Sequence, residues 1–149
     1  MLLSMNCSKN RRLGPQVVPV SLFFVIKTNG LRLDDNTLNT MKLYYFNNGI
    51  KTYITDFQRG TGDGFALGVQ TTRNIGDVSA DQSVKDYYLE FQNGDIDTLF
   101  VDYRHLNENE AFNDPCYCYY PLRDVKYNGV TASPDPSITQ QKVYLFNKP

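Results

Sequence analysis

The sequence predicts an all-β protein built as an antiparallel β-sandwich of about seven to nine strands. Short apolar runs alternate with turn signals along the chain, and no stretch keeps a helical apolar period over three turns. Aromatic residues make up 13% of the chain, as 11 Tyr and 9 Phe, a composition that favours strands. A length of 149 residues fits one domain, which we place at residues 17–149, after an N-terminal tail at 1–16.

The clearest predicted hairpin is VKDYYLEFQNGDIDTLFVDY at residues 84–103. Asn93-Gly94 favours a two-residue type I′ turn, because Asn and Gly tolerate positive φ. The facing pairs would then be Phe91 with Ile96, Leu89 with Thr98 and Tyr87 with Phe100, whose five apolar members share one face of the hairpin. The same register sets Glu90 against Asp97, a like-charge pair that a three-residue turn with a bulge would relieve. We prefer the two-residue turn, because a slip by one residue sacrifices the apolar face.

Other apolar stretches predict the remaining strands. These are VVPVSLFFVIK at 17–27, MKLYYFNNGIKTYITDF at 41–57, FALGVQT at 65–71, CYCYYPLRDVKYNGV at 116–130 and QKVYLF at 141–146. In the second of them, a turn at Asn48-Gly49 sets Leu43 opposite Ile54 and Tyr44 opposite Tyr53. We expect a strand kinked at Pro121 and a turn at Asn128-Gly129. The predicted connections are 28–40, with room for one short helical turn, the glycine-rich 58–64, the turn-rich 73–84 and the long polar loop 104–114.

Charge and hydropathy argue against several functions. The formal net charge is −1 and no basic block is visible, so we expect no nucleic-acid partner. No apolar run approaches the ~18 residues that span a bilayer.

The N-terminal MLLSMNCSKNRR resembles the end of a bacterial lipoprotein signal peptide, in which Cys7 would carry the lipid and anchor the protein to a membrane. The alternative is an N-terminal tail with a free thiol.

Several of these stretches together resemble a known class of protein. The hairpin ending in DTLFVDYR, the following CYCYY, the strand ending in KYNG and the stretch MKLYYFNNGIKTYITDF are similar to small surface lipoproteins of the Bacteroidetes type. This resemblance implies an immunoglobulin-like or transthyretin-like β-sandwich. It also implies a place in the cell envelope, with outer-membrane anchoring or a periplasmic location. Most members of this class have no assigned function.

Cys116 and Cys118 form a C-x-C pair. In a strand their Cα atoms would lie about 6.5 Å apart, at the long end of disulfide geometry, so we expect two thiols unless Tyr117 bulges. A disulfide is the alternative, and an envelope compartment would permit it. A metal pair is the third reading, which His105 alone cannot complete, since structural zinc wants four ligands.

No catalytic constellation is visible, so we expect a protein that is not an enzyme and needs no cofactor or metal. The alternative is a small hydrolase using region 104–118, in which His105 would act on Cys116 or Cys118. Calcium is a further alternative, with Asp63 in GTGDG or Asp95 and Asp97 beside Glu90 as ligands.

Tyrosine is too abundant for every ring to be interior, so we expect some rings on the surface among Tyr44, Tyr53, Tyr88, Tyr119 and Tyr120. The simpler interpretation is that these rings stack across strands on the solvent side of a sheet. The alternative is a ligand surface. Tyr offers a rigid apolar face with a polar tip, which suits a sugar or a protein partner. Tyr88, His105 and Tyr119 are the candidate ligand-surface residues. The sequence thus predicts a non-catalytic envelope lipoprotein that acts as a binding or structural module for an envelope protein or a glycan. A carbohydrate-binding accessory protein is the alternative.

Overall fold

Two β-sheets pack against each other in the computed structural model of this chain, which confirms the predicted all-β sandwich class. The structure describes residues 14–15, 21–55, 57–59, 69–71, 73–138 and 142–149. Cys7, Pro19, Asp63 and the first residues of the strand predicted at 65–71 lie outside these ranges.

Twelve strands and three short helices form the described part of the chain. The strands are β1 (Phe23–Thr28), β2 (Leu31–Arg32), β3 (Lys42–Asn47), β4 (Ile50–Ile54), β5 (Phe57–Arg59), β6 (Val69–Thr71), β7 (Asp86–Glu90), β8 (Ile96–Tyr103), β9 (Leu122–Tyr127), β10 (Val130–Thr131), β11 (Ser133–Pro134) and β12 (Tyr144–Lys148). The helices are α1 (Asp35–Thr40), α2 (Arg73–Asp81) and α3 (Glu108–Asn113). The number of strands exceeds the predicted seven to nine because it includes β2, β10 and β11, which are only two residues long and were not predicted as separate strands.

The first sheet has the order β11-β12-β1-β6-β5, with β2 also paired to β1. The second sheet has the order β10-β9-β8-β7-β3-β4. Neighbouring strands are antiparallel, except that the last strand β12 runs parallel to β1. This pairing brings the C-terminal strand into the middle of the first sheet.

The core lies between the inner faces of the two sheets. Phe24 and Phe146 of the first sheet stack with ring centroids 4.7 Å apart, and Phe146 stacks on Tyr127 of the second sheet, also at 4.7 Å. Tyr87 is fully buried and its hydroxyl donates to the carbonyl oxygens of Val84, at 2.9 Å, and Ile75, at 3.2 Å. Stacked aromatic rings therefore join the two layers.

The predicted β3–β4 hairpin is confirmed. Leu43 pairs with Ile54 and Tyr44 with Tyr53, and Asn48 and Gly49 both have positive φ, at 48° and 79°. The turn predicted at Asn128-Gly129 has the same character, joining β9 to β10. A further Asn-Gly turn joins β1 to β2 within the predicted connection 28–40.

The predicted register of the β7–β8 hairpin is wrong. Leu89 pairs with Asp97 and Tyr87 with Leu99, while Glu90 lies opposite Ile96. The inner face of β8 is therefore formed by Leu99, Val101 and Tyr103, which are buried, together with Asp97. Ile96 is 48% exposed instead of lying in the core. The predicted Glu90–Asp97 pair does not form.

Three predicted connections contain helices, of which only the one in 28–40 was allowed for. The 73–84 stretch forms α2, which packs Ile75 and Val78 into the core. The predicted loop 104–114 holds α3, which begins with a capping box: the Asn107 side chain accepts from the Glu110 backbone N–H, and the Glu110 carboxylate accepts from the Asn107 N–H. The helical turn allowed in 28–40 is α1, capped by Asp34.

The C-x-C segment is not a strand. β9 begins only at Leu122, after Pro121. The prediction of a strand that starts at the cysteines and is kinked at Pro121 is therefore wrong. Tyr117 has a φ of 52°, in the left-handed region, which brings the Cα atoms of Cys116 and Cys118 to 5.2 Å.

Candidate functional site

Four aromatic side chains cluster on the outer side of the second sheet, and we call them the aromatic face: Tyr44 and Phe46 of β3, Tyr53 of β4 and Tyr88 of β7. Successive strand residues point to opposite sides of a sheet. Because Leu43 and Tyr45 point into the core, Tyr44 and Phe46 point outward.

The four rings touch each other in a continuous cluster. Tyr44 and Tyr88 are stacked with centroids 5.2 Å apart. Tyr53 meets Tyr44 edge-on at 5.7 Å, and Phe46 meets Tyr88 edge-on at 5.6 Å. Both arrangements are favourable for aromatic pairs. Tyr44 is only 4% exposed, whereas Phe46 is 47% and Tyr53 45% exposed. The face is therefore a buried ring with two exposed rings beside it.

A charged pair lies against the rings. The Lys51 ammonium lies 3.9 Å from the centroid of Tyr44 and 5.1 Å from that of Tyr53. It also donates to the Glu90 carboxylate, with a nitrogen–oxygen distance of 2.8 Å. The hydrogen bond from Lys51 lowers the pKa of Glu90, and the same bond raises the pKa of Lys51. The aromatic face thus combines apolar ring surface with a cation and an anion whose charges cancel.

A second polar cluster lies at the tip of the β7–β8 hairpin, where Asp97 is 5% exposed. Its carboxylate accepts from the hydroxyl of Tyr127, from the Asn128 side-chain amide at 2.9 Å and from the ammonium of Lys148 at 2.7 Å. Lys148 also donates to Asp95. Residues from β9, the β9–β10 turn and β12 therefore meet at one buried carboxylate of β8.

The electrostatics of this cluster follow from burial and from the lysine. Burial raises the pKa of Tyr127, and the hydrogen bond to Asp97 adds to that rise. For Lys148, burial lowers the pKa, but hydrogen bonds to Asp95 and Asp97 outweigh it, so its pKa is raised. The hydrogen bond from Lys148 lowers the pKa of Asp95. The cluster joins the two sheets through a cation with two carboxylates.

A cleft of about 510 Å³ opens beside this cluster. Thr37 and Thr40 of α1 line one part of it, and Phe91 and Lys148 line another. The Lys148 ammonium lies 4.5 Å from the Phe91 ring centroid. Asn93 and Lys148 in the cleft lining are engaged at the hairpin tip, whereas Thr37 and Thr40 bond within α1 and its cap.

At Asp95 and Asp97, the carboxylates that were candidate calcium ligands bind the ammonium group of Lys148. The Lys148 ammonium lies between these two carboxylates, and Glu90 is bound to Lys51 instead of facing them. Within the described residues, no group of three or more His, Cys, Asp or Glu side chains could hold a metal ion. Asp63 lies outside those residues.

His105 and Tyr119 lie in a different part of the molecule from the aromatic face. His105 Nδ1 lies 2.9 Å from an Asp81 carboxylate oxygen, and its ring stacks on Tyr120 with centroids 4.7 Å apart. The Tyr119 carbonyl accepts from the Leu106 N–H at 2.9 Å. Of the three predicted ligand-surface residues, only Tyr88 belongs to the aromatic face.

The two cysteines of the C-x-C pair are joined by a disulfide. Cys118 is 3% exposed and Cys116 is half-buried. The hydrolase alternative needs one of these sulfurs as a free thiolate and His105 as its base. In the structure the sulfurs bond each other, so neither is a free thiolate while the bridge is closed. The lipidation candidate Cys7 lies outside the described residues.

Phe46 and Lys51 are the residues of the aromatic face that sequence reasoning missed. Both could have been found, because the correctly predicted Asn48-Gly49 turn sets them opposite each other. Because side chains alternate between the two sides of a strand, Phe46 and Lys51 lie on the same side of the sheet as Tyr44 and Tyr53. Lys148 could not have been found, because nothing local connects the end of the chain to Asp97.

Comparison with known proteins adds no relative: no protein-family model matches the chain, and no curated protein or solved structure matches it. None of the described helices is long and apolar enough to cross a membrane.

Proposed function

We propose that this protein is a non-catalytic binding module of the cell envelope and that the aromatic face is its ligand surface. The observation that carries the proposal is the contact cluster of Tyr44, Phe46, Tyr53 and Tyr88 on the outer side of a sheet. Aromatic side chains supply most of the contact area in ligand sites and interfaces, because they bury much apolar surface at little entropic cost.

Three features support the non-catalytic and envelope parts of the proposal. The sulfurs that a cysteine hydrolase would use are bonded to each other, so neither is the free thiolate that such an enzyme needs. Disulfides persist in oxidising compartments such as the periplasm and cell surface. The resemblance of the N-terminus to a lipoprotein signal adds a membrane anchor at Cys7 to the proposal.

Carbohydrate is the ligand class that the aromatic face favours over a protein partner. Exposed Phe46 and Tyr53 rings offer flat surfaces for the apolar faces of sugar rings. Lys51 and Glu90 lie beside them and can donate and accept hydrogen bonds with hydroxyl groups. Because their charges cancel, the face suits a neutral glycan.

A pair of phenylalanine variants tests the site. Phe46→Ala removes a ring from the aromatic face, whereas Phe112→Ala removes a ring of similar exposure, 41%, from α3. We expect Phe46→Ala to weaken binding about tenfold, as for a contact worth ~1.4 kcal/mol. Phe112→Ala should leave binding unchanged. Binding is measured by affinity electrophoresis in gels that contain neutral or acidic polysaccharides, after a glycan array has selected the polysaccharides.

Three outcomes count against this proposal in different ways. An array without any bound glycan removes carbohydrate as the ligand. Equal losses in Phe46→Ala and Phe112→Ala remove the aromatic face as the site. Preference for acidic polysaccharides contradicts the neutral ligand.

The anchor is tested separately by radiolabelled palmitate in cells of an envelope-bearing bacterium that express the full chain. We expect incorporation into the wild type and none into Cys7→Ala. Label that persists in Cys7→Ala would remove Cys7 as the lipid attachment site.

A further inference from the structure

The Cys116–Cys118 disulfide closes a loop of three residues between α3 and β9. A disulfide stabilises a fold mainly by restricting the unfolded chain, and this effect is smallest for the shortest loops. The bridge therefore does little to hold the sandwich together, so stabilisation of the fold does not account for it.

Tyr117, the residue inside the loop, carries two costs. Its φ of 52° lies in the left-handed region, which a bulky side chain rarely adopts. Its hydroxyl oxygen is buried and has no hydrogen-bond partner among the described residues. Strained backbone and an orphan buried polar group are both uncommon, and both cluster where a segment has a switching or redox role. Opening the bridge would let Tyr117 leave this conformation.

Hydrogen bonds to Asp114 hold the Cys116 end of the loop in place. The Asp114 carboxylate accepts from the Cys116 N–H at 2.9 Å and also bonds Arg123 of β9. The Tyr117 N–H donates to the Asp114 carbonyl at 2.9 Å. Because these bonds do not involve the sulfurs and the two cysteines are only two positions apart, the thiols would stay near each other after reduction and could be oxidised again.

We propose that Cys116–Cys118 is a redox-active disulfide that exchanges with external thiols. Cys116 is half-buried and Cys118 is 3% exposed, so the attacking thiolate reaches Cys116. Its sulfur bonds Cys116 Sγ while the Cys116–Cys118 bond breaks, and Cys118 leaves as a thiolate that takes up a proton. A second external thiolate then attacks the external sulfur of the mixed disulfide. Cys116 is released as a thiol, and two electrons have passed from two external thiols to the bridge.

The test is the thiol–disulfide equilibrium of the folded full-length chain in glutathione buffers of graded ratio. Trapped thiols are alkylated and assigned by peptide mass spectrometry, so that Cys7 is counted separately. Tyr117→Asn places a residue that tolerates the left-handed region in the loop. We expect it to shift the equilibrium at least about fivefold toward the disulfide, the value for ~1 kcal/mol of relieved strain. Tyr117→Phe removes only the orphan hydroxyl and should shift the equilibrium in the same direction by less.

Tyr119→Phe is the matched control, because Tyr119 is a half-buried tyrosine of the same segment without positive φ. It should leave the equilibrium unchanged. Near-ultraviolet circular dichroism reports whether the protein is still folded at each glutathione ratio. The proposal is overturned if the wild-type bridge stays closed for as long as the protein is folded and is reduced only once it has unfolded. It is equally overturned if the wild-type bridge is reduced but neither Tyr117 variant differs from Tyr119→Phe.

Discussion

The two long hairpins of the second sheet contain the same dipeptide, Asn-Gly, in their loops and yet form different turns. In β3–β4, Asn48 and Gly49 both have positive φ and form a two-residue loop. In β7–β8, Gly94 has positive φ, at 84°, but Asn93 does not. The Asn93 side chain instead accepts from the Asp95 N–H at 3.0 Å, and the loop has three residues. The Asn-Gly dipeptide thus allows a turn without deciding its register.

The difference arises from the strands and not from the turns. In β3–β4, the predicted register aligns the buried Leu43 and Ile54 on the inner face. In β8, both faces carry apolar residues, with Ile96 and Phe100 on one side and Leu99 and Val101 on the other. A slip by one residue therefore costs little apolar burial. The slip turns Asp97 inward, where Tyr127, Asn128 and Lys148 satisfy it.

The largest effect is expected at Asp97, whose removal leaves the Lys148 ammonium and the Tyr127 hydroxyl without their buried acceptor. We expect Asp97→Ala to lower the free energy of unfolding by about 3 kcal/mol, as for a broken buried ion pair. Urea unfolding followed by circular dichroism measures it. Asp95→Ala is the control, since Asp95 is largely exposed and should cost about 0.5 kcal/mol. Equal losses of unfolding free energy in the two variants would contradict the conclusion that Asp97 fixes the register of the β7–β8 hairpin.

A smaller effect separates the two turns. Asn48→Gly should leave the free energy of unfolding nearly unchanged, because glycine readily adopts the positive φ at that position. Asn93→Gly should lower it by about 1 kcal/mol, because it loses the hydrogen bond to Asp95 and adds flexibility to a residue with negative φ. The two variants are compared by urea unfolding under one condition. A cost for Asn48→Gly as large as that for Asn93→Gly would show that both turns have the same requirement.

The sequence predicts those parts of the fold that local pattern determines. The β3–β4 register and the Asn128-Gly129 turn depend only on neighbouring residues. The capping box of Asn107 and Glu110 was a visible helix signal within a stretch predicted as a loop. Helix α2 was hidden by Gly76 and by its polar composition, and the contact of Ile75 with Tyr87 that supports it is tertiary.

The candidate site divides in the same way. Tyr88 was predicted for a ligand surface, and strand parity adds Phe46 and Lys51 once the β3–β4 turn is known. The Asp97 cluster depends on Lys148, which lies 51 residues away along the chain. Local pattern contains no information on such a contact, because either face of β8 could have been buried.

The smallest effect concerns the ion pair on the aromatic face. The lowered pKa of Glu90 means that its carboxylate stabilises the folded state above the ordinary value of 4.5, and that this contribution is lost as the pH falls through the lower folded value. Lys51→Met removes the partner that lowers this pKa. The difference in unfolding free energy between wild type and Lys51→Met should therefore be largest near neutral pH and should shrink below about pH 4.5.

Urea unfolding at a series of pH values measures this difference. Glu90→Gln should show the same loss at neutral pH, and adding Lys51→Met to it should bring no further pH dependence in the acid range, since both changes remove one interaction. The contact of Lys51 with the Tyr44 ring does not titrate in that range, because lysine stays charged. A difference that stays constant from neutral to acid pH would therefore assign the role of Lys51 to the ring and not to Glu90. The side-chain link between β4 and β7 would then be aromatic and not ionic, whereas charge links the β7–β8 tip to β12.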